Sequence, residues 1–322
     1  MSSMKSSTDK LQSSKRYYAV FGNPILHSKS PQLFNSVFEG QGIDAVFTRI
    51  RTLSGHDVIV LIRNLNLSGA SITTPFKEEV MPFLDSISEE AKRIGGVNTI
   101  VNNNGKLSGY NTDHHGVTNS LTESGLTLHG LKCLVLGAGP AGRAAVYGLM
   151  TGGAEVTISN RTPGRAQLIA RQFGCKALDM EKINHEIGGF DVVVSALFPD
   201  ANPLSDVNLP PSITILDANY RKSGVGAHAE ACGCKVITGQ RWLVNQAVES
   251  FKLFFGFEPD ISLMERGFDI NLRKNSINAI LCTIDAKVIN LANADIVISL
   301  PVEQGGSFNT ILNEEVSKAF GG

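Results

Sequence analysis

The chain has 322 residues, which is long enough for two domains, and its formal net charge is −1 with 18% charged residues. This balance excludes the basic surface of a nucleic-acid-binding protein, and no apolar run is long enough to span a membrane. The 32 glycines suit an α/β enzyme with many tight turns. Five cysteines, without the spacing of a zinc site, indicate reduced thiols, so we expect a cytoplasmic protein without a metal site.

The first predicted elements follow a polar, Ser- and Lys-rich segment, residues 1–16, which we interpret as a disordered leader. A strand over 17–21 leads into Ser28-Lys29-Ser30-Pro31. Pro31 suits the first position of a helix over 32–40, with Ser30 as its N-cap. Alternatively, Ser28 and Ser30 bind a substrate carboxylate beside the helix N-terminus.

Further along, the pattern predicts a strand over 46–49, a helix over 55–64 and a strand that begins at Ser68. That strand ends in hydroxyl residues, a proline and Lys77, with a helix predicted over 78–84. A lysine just after a strand lies at the rim where open α/β sheets bind ligands. The alternative is an ordinary exposed lysine.

Two polar residues lie in glycine-flanked surroundings near predicted strand edges. Asn98 follows a Gly-Gly turn, and Asp113 lies in Gly-Tyr-Asn-Thr-Asp. Asp113 either caps a helix over 117–124 or has a role in a site. His114 and His115 are adjacent in sequence, so they do not form a chelating pair, and we predict no metal site.

A glycine-rich segment follows a short apolar strand over 134–136. Gly137, Gly139 and Gly142 fit G-x-G-x-x-G, and a helical apolar pattern over 144–150 comes next. The first glycine allows a tight turn, the second lets the backbone approach a pyrophosphate, and the third lets helix and strand pack closely. The motif in this strand–helix context predicts a dinucleotide-binding unit.

The next strand, 155–159, is followed by Asn160, Arg161, Thr162 and Arg165. An NAD-binding unit usually has an acidic residue here for the ribose 2′-hydroxyl, whereas this chain has two arginines. A guanidinium group binds a 2′-phosphate bidentately, so we predict NADP rather than NAD. The alternative is that the arginines are solvated surface residues.

At this point eight short segments, in order and spacing, resemble the shikimate dehydrogenase family over about residues 17 to 268. They are GNPILHSKSPQLFN, SITTPFK, IGGVNT, GYNTD, LGAGPAG, NRT, DANY and GQRWLVNQA. The resemblance implies an NADP-dependent enzyme that reversibly reduces 3-dehydroshikimate to shikimate, with the hydride supplied by the cofactor.

The resemblance also implies roles for single residues. Lys77 and Asp113 are the expected catalytic pair: the lysine donates a proton to the ketone oxygen, and the aspartate orients it. Residues expected to bind the substrate are Ser28, Ser30, Thr73, Asn98, Tyr220 and Gln246. Residues expected to bind the cofactor are Gly137, Ala138, Gly139, Pro140, Ala141, Gly142, Asn160, Arg161, Thr162, Arg165 and Gly239.

The chain departs from the family pattern at a few positions. Phe34 replaces a histidine, Ser71 replaces an asparagine, and Lys222 replaces a proline. An apolar segment over 195–199 replaces a polar loop expected beside the nicotinamide ribose. These departures leave the proton-transfer pair intact and affect the cofactor side.

The predicted fold class is α/β with two domains. Residues 17–117 form a substrate-binding domain, which the returning segment 239–268 completes, and residues 118–238 form a Rossmann-type NADP-binding domain. Within 239–268 an amphipathic helix brings Gln246 to the cleft between the domains. We expect catalysis in that cleft.

Residues 269–322 form a C-terminal extension outside the resemblance, with no recognised motif. Strands are predicted over 278–284 and 294–302, and a helix over 309–320. A segment of this length can add strands to an existing sheet but hardly buries a core alone.

Two other functions stay open. A quinate or dual quinate/shikimate dehydrogenase would use the same fold and the same pair. A catalytically weak, ligand-sensing protein would bind a shikimate-like molecule and signal through its extension, although it need not retain Lys77 and Asp113. We expect a small-molecule substrate, no nucleic-acid or membrane partner, and a monomer or homodimer.

Overall fold

The computed structural model describes residues 15–221, 223–287, 289–300 and 308–320. Most of the predicted leader, Lys222 and the last two residues of the predicted strand over 294–302 lie outside this description. The described chain forms one eight-stranded and one six-stranded sheet, both flanked by helices, which confirms the predicted α/β class.

The strands, in chain order, are β1 (Arg16–Gly22), β2 (Ala45–Arg51), β3 (Gly69–Ile72), β4 (Ser86–Ile87), β5 (Thr99–Asn103), β6 (Lys106–Tyr110), β7 (Lys132–Leu136), β8 (Glu155–Ser159), β9 (Lys176–Ala177), β10 (Val192–Ser195), β11 (Thr214–Asp217), β12 (Lys235–Ile237), β13 (Ala279–Thr283) and β14 (Ile296–Leu300). The helices are α1 (Ser30–Gly40), α2 (Gly55–Asn64), α3 (Glu89–Ile94), α4 (Asp113–Glu123), α5 (Pro140–Thr151), α6 (Pro163–Phe173), α7 (Ile183–Glu186), α8 (Gly224–Ala231), α9 (Gly239–Phe255), α10 (Ile261–Asp269) and α11 (Phe308–Phe320).

The first sheet has the order β13-β14-β2-β1-β3-β5-β6-β4. Its central strands β2, β1 and β3 are parallel, so the loops after β1 and β3 leave the same edge of the sheet. These loops carry Ser28 and Lys77. Two strands of the C-terminal extension lengthen this sheet, because β14 pairs in parallel with β2 and β13 pairs with β14.

The second sheet has the order β12-β11-β10-β7-β8-β9, and all its strands are parallel. The chain moves outward from β7 through β8 to β9 and then returns to the other side of β7 with β10. The strand order therefore reverses at β7, and the glycine-rich segment after β7 lies at this switch point.

Helix α9 joins the two halves of the molecule. Its Trp242 packs in the core of the second sheet, whereas Val248 and Phe251 are buried in the core of the first. The helix also packs along α4. Helix α9 thus contacts both sheets, an arrangement that the predicted return of this segment to the first domain requires.

Three local predictions need correction. The predicted helix over 78–84 is absent as an α-helix: the chain makes turns and then a short 3₁₀ helix, Met81–Phe83. Pro82 lacks an N–H and its ring would clash with the preceding turn of an α-helix. Helix α1 begins at Ser30 itself, with Lys29 as N-cap. Helix α4 begins at Asp113, four residues earlier than predicted.

Candidate active site

A buried network of polar side chains surrounds Lys77, which follows β3. The Lys77 Nζ donates to Asp113 Oδ2 at 2.5 Å, and the Asn98 Nδ2 donates to Asp113 Oδ1 at 3.0 Å. Asp113 is 6% exposed and lies in the first turn of α4, where the helix dipole favours a negative charge. Both carboxylate oxygens of Asp113 thus accept a hydrogen bond, and Asp113 holds the ammonium of Lys77 in place.

The same network extends to α9. Asn98 Nδ2 lies 3.3 Å from Gln246 Oε1 and 2.9 Å from Thr112 Oγ1. The Thr112 hydroxyl in turn lies 3.0 Å from the Ser250 hydroxyl. Thr112 and Ser250 were missed by the sequence analysis, although Thr112 stands inside the Gly-Tyr-Asn-Thr-Asp segment. The Thr112 hydroxyl contacts the amide groups of both Asn98 and Gln246, and Ser250 holds that hydroxyl in place.

Ser28 and Ser30 lie at the start of α1 and are 8% and 5% exposed. The predicted N-cap role of Ser30 is wrong, because Ser30 is the first helical residue and Lys29 occupies the N-cap position. The Ser28 Oγ instead lies 3.4 Å from the Ser30 backbone N–H and 3.3 Å from the Ser30 Oγ. The two hydroxyls are therefore neighbours at a helix N-terminus, an arrangement suited to an anion.

One cavity of about 200 Å³ lies between the two halves of the molecule. The predicted catalytic and substrate-binding residues in its wall are Ser28, Ser30, Thr73, Lys77, Asn98, Asp113, Tyr220 and Gln246. Ala141 and Gly239, predicted to bind cofactor, also line it. Pockets for drug-sized ligands measure roughly 300–1,000 Å³, so this cavity suits a smaller polar molecule.

Two further groups in the cavity wall are affected by burial. The Tyr220 hydroxyl donates to the backbone oxygen of His27 at 2.9 Å, and burial raises the pKa of Tyr220. Burial, reinforced by the nearby Arg221 and Arg49, lowers the pKa of His27 to about 4. His27 is thus neutral at neutral pH, and its neighbours in the sequence do not indicate a role for it.

The glycine-rich segment fits a dinucleotide. Gly137 has a φ of +107°, and a Cβ there would lie 2.8 Å from the Ala196 oxygen. A Cβ at Gly142 would lie 1.9 Å from the Gly137 oxygen, so the third glycine allows the strand and helix to approach. A Cβ at Gly139 would meet nothing within 4 Å, and no side chain caps α5 there. The N-terminus of α5 is thus open to a pyrophosphate.

The arginines after β8 are available for a phosphate group. Arg161 and Arg165 are exposed, and neither forms an ion pair within the part of the chain that the structure describes. Arg165 lies in the first turn of α6, where the helix dipole disfavours a cation unless an anion is bound. The Asn160 Nδ2 donates to the Thr162 oxygen at 3.2 Å and shapes the turn.

The apolar segment over 195–199 packs against the glycine-rich turn. The Asn219 Nδ2 donates to the Leu197 oxygen at 3.0 Å, and Phe198 is 77% exposed. The Ser195 Oγ is buried and has no hydrogen-bond partner among the described residues. This loop therefore presents an apolar surface beside the predicted cofactor site.

The other departures have clear positions. Phe34 is fully buried and stacks on Phe47 with ring centroids 4.5 Å apart. Where the family pattern has a histidine, this chain therefore has a residue of an aromatic core. Ser71 lines the cavity. Among the described residues, no group of three or more His, Cys, Asp and Glu side chains is arranged for a metal ion, and no helix is long and apolar enough to cross a membrane.

Comparison with known proteins gives three family matches in chain order. They are the shikimate dehydrogenase substrate binding domain at residues 20–100, shikimate/quinate 5-dehydrogenase at 120–204, and the shikimate 5′-dehydrogenase C-terminal domain at 243–266. All three lie before the C-terminal extension.

Full-length relatives agree with these matches. Shikimate dehydrogenase (NADP(+)) from Pyrococcus abyssi is 36% identical over 259 residues, which are 78% of this chain and 96% of the relative. Shikimate dehydrogenase from Aquifex aeolicus superposes with a TM-score of 0.76 at 30% identity, covering 81% of this chain and 100% of that one. The Thermus thermophilus enzyme, in complex with NADP(H) and shikimate, gives 0.71 at 35% identity, covering 79% and 98%. The chain therefore belongs to the shikimate dehydrogenase family, as its motifs indicated.

Proposed function

We propose that this chain catalyses the reversible, NADP-dependent reduction of 3-dehydroshikimate to shikimate. The observation that carries the proposal is the Lys77–Asp113 pair, 2.5 Å apart, in the wall of a small cavity. The names of the most similar relatives support both the reaction and the cofactor, and the Thermus thermophilus structure holds NADP(H) and shikimate.

The substrate carboxylate would lie at Ser28 and Ser30, whose hydroxyls and helix N-terminus donate to an anion. The hydroxyls of the ring would meet Thr73, Asn98 and Gln246, which have both donors and acceptors. Because the amides of Asn98 and Gln246 are held by partners in the protein, they are oriented before the substrate binds.

Lys77 would move the proton. As hydride reaches the ketone carbon, negative charge develops on its oxygen, and the ammonium of Lys77 both stabilises that charge and donates a proton. NADPH, when bound, supplies the hydride. Asp113 keeps the ammonium oriented, since its two oxygens are fixed by Lys77 and Asn98. In the reverse direction Lys77 accepts the proton of the alcohol.

On the cofactor side, Gly139 and the N-terminus of α5 would hold the pyrophosphate. Arg161 and Arg165 would hold the 2′-phosphate, with Asn160 and Thr162 shaping the turn that presents them. This arrangement supports the preference for NADP, since no carboxylate follows β8 to repel the phosphate.

The test measures the absorbance of the reduced nicotinamide with shikimate or quinate as substrate and NADP or NAD as cofactor. The proposal predicts turnover with shikimate and NADP. The quinate alternative is not favoured by the names of the most similar relatives, and turnover with quinate alone would overturn the assignment. Shikimate binding without turnover would instead indicate the sensing function.

The compartment and the assembly complete the proposal. All five cysteines are free thiols, which is typical of a reducing compartment, and this supports the cytoplasm. The site draws its described residues from a single chain, which is consistent with either a monomer or a homodimer.

A further inference from the structure

The C-terminal extension places one buried carboxylate against the loop that carries Ser28 and Ser30. Glu315, on α11, is 3% exposed. Its Oε2 accepts hydrogen bonds from the backbone N–H groups of Ile25 at 2.9 Å and Leu26 at 3.1 Å. Its Oε1 lies 3.3 Å from the Nε of Arg51. A residue about 290 positions away thus fixes the backbone just before the two serines.

The backbone of this loop requires the hydrogen-bond acceptor that Glu315 provides. Ile25 and Leu26 are 0% and 2% exposed, so water cannot satisfy their N–H groups. A buried N–H without a partner destabilises the fold, and hydrogen bonds to a charged acceptor are stronger than those between neutral groups. The carboxylate of Glu315 is itself paired with the largely buried Arg51.

The same loop is held from its other side. The Nε and Nη2 of Arg49, which is 2% exposed, donate to the Ser28 oxygen at 2.9 and 2.6 Å. Its Nη1 donates to the oxygen of Asp295, in the extension, at 3.2 Å. Residues 25–30, which include both serines, are called the serine loop. Arg49 therefore connects the serine loop to the residue just before β14.

Helix α11 also reaches the second half of the molecule. The guanidinium of Arg221 donates to the Lys318 oxygen at 3.4 Å and to the Ala319 oxygen at 2.9 Å, where the helix dipole favours a cation. The neighbouring Tyr220 donates to the His27 oxygen, inside the serine loop. Two adjacent residues of the second half, Tyr220 and Arg221, thus contact the serine loop and the extension respectively.

Helix α11 lies outside the matched part of the chain. The last family match ends at residue 266, and the Pyrococcus abyssi relative is covered over 96% of its length by 78% of this chain. Glu315 therefore contacts the matched segment 20–100 from a helix that begins after the last match.

We propose that Glu315 is a positioning residue for substrate recognition: it holds the loop over residues 25–30 so that the hydroxyls of Ser28 and Ser30 face the substrate carboxylate. The extension is then a working part of the substrate site and not a separate module. The inference rests on the proposed function, which supplies the carboxylate-bearing substrate.

The test compares Glu315→Gln with Glu314→Gln in the full-length enzyme. Glu314 is the exposed neighbour on the same helix and serves as the matched control. In Glu315→Gln the negative charge is lost and an NH2 group replaces one oxygen, so in either orientation a donor meets donors: the N–H groups of Ile25 and Leu26, or the Nε of Arg51. We expect the KM for shikimate to rise about 10- to 100-fold, while kcat and the KM for NADP change less than about threefold. Glu314→Gln should leave all three constants unchanged.

A double variant separates positioning from stability alone. If Glu315 acts through the serines, Ser30→Ala combined with Glu315→Gln should raise KM little beyond the larger single effect. The positioning role would be overturned if the KM increases of the two single variants multiplied in the double variant. It would also be overturned if Glu315→Gln lowered the Tm and left the KM unchanged. If Glu315→Gln does not fold, Glu315→Asp keeps the charge on a shorter side chain, and an unchanged KM there would overturn it equally.

Failure of the proposed function is recognised separately. If the wild type shows no turnover, the shikimate affinities of wild type and Glu315→Gln are compared by calorimetry. Weaker binding in the variant supports positioning even though the reaction is wrong. A wild type that neither turns over nor binds shikimate overturns both proposals.

Discussion

The two sides of the cleft are built in different ways. On the substrate side, the polar groups come from distant segments and already bond to one another: Lys77 and Asp113 are 36 residues apart, and Asn98 and Gln246 are 148 apart. On the cofactor side, the glycine turn spans six residues, and Arg161 and Arg165 are exposed and without ion pairs among the described residues. The polar groups of the first side are bonded to one another, whereas the second side has exposed cations that can pair with an anion.

This difference has a chemical reason. Proton transfer requires the ammonium to be in position when charge develops, and buried, mutually bonded groups need no reorganisation at that moment. A phosphate, in contrast, carries enough charge to recruit exposed guanidinium groups when it binds. Substitutions on the substrate side should therefore affect kcat or substrate affinity, and those on the cofactor side should affect cofactor choice.

The largest effect is expected from Lys77→Ala. Loss of the proton donor should lower kcat by about 10²- to 10⁴-fold, whereas the affinity for NADPH should stay the same, because Lys77 belongs to the substrate side. Steady-state kinetics and NADPH titration measure the two quantities. Lys92→Ala, at an exposed lysine paired with Glu89, is the control. An unchanged kcat in Lys77→Ala would remove the assigned role.

Arg161→Ala should act on cofactor choice. Loss of one charge-assisted contact with the 2′-phosphate should reduce the ratio of kcat/KM for NADP over NAD by about 10- to 100-fold, with little effect on the KM for shikimate. Arg171→Ala, at an exposed arginine in the last turn of α6, should not change the ratio. If Arg161→Ala also leaves it unchanged, the phosphate is bound elsewhere.

Ser30→Ala should raise the KM for shikimate by about 3- to 30-fold, since one hydroxyl donor to a carboxylate is lost. The ratio of NADP to NAD use should not move, which would sharpen the separation between the two sides. Ser86→Ala, at an exposed serine on the edge strand β4, is the control. An equal KM in Ser30→Ala and wild type would show that the carboxylate lies away from α1.

The smallest effect is on stability at low pH. Burial lowers the pKa of both His27 and His114 from 6.5 to about 4, with Arg221 acting further on His27 and His115 on His114. The unfolded chain therefore binds protons first as the pH falls. The stabilisation is complete above about pH 6.5 and is lost between there and about pH 4, by on the order of 1 kcal/mol per histidine at about pH 5.

Urea unfolding at about pH 7.5 and about pH 5 measures this loss. His114→Gln should reduce the difference between the two pH values, whereas His185→Gln, at an exposed histidine, should not. His114 packs edge-on against Tyr147, so the variant will also be less stable at both pH values, and the comparison uses the difference alone. An equal pH difference in wild type and His114→Gln would contradict the prediction.

Local patterns were sufficient for much of the second half of the molecule. The strand over 155–159 has the predicted bounds. The strand–glycine–helix unit that begins at Lys132 forms because its glycines allow a tight turn and a close approach of backbone within a few residues. Helix 55–64 also has its predicted bounds, since Ser54 caps it by accepting from the Asp57 N–H. Such interactions are encoded within one or two turns of chain.

The sequence by itself determined the family, the α/β class and the glycine turn, because these depend on short segments whose chemistry is local. Only the tertiary structure decided that α1 begins at Ser30, that Phe34 belongs to an aromatic core, and that the C-terminal extension completes the first sheet. Glu315 could not have been found from its neighbours in sequence. Its partners lie about 290 residues away, and its role arises from the burial of two N–H groups that only the assembled fold removes from water.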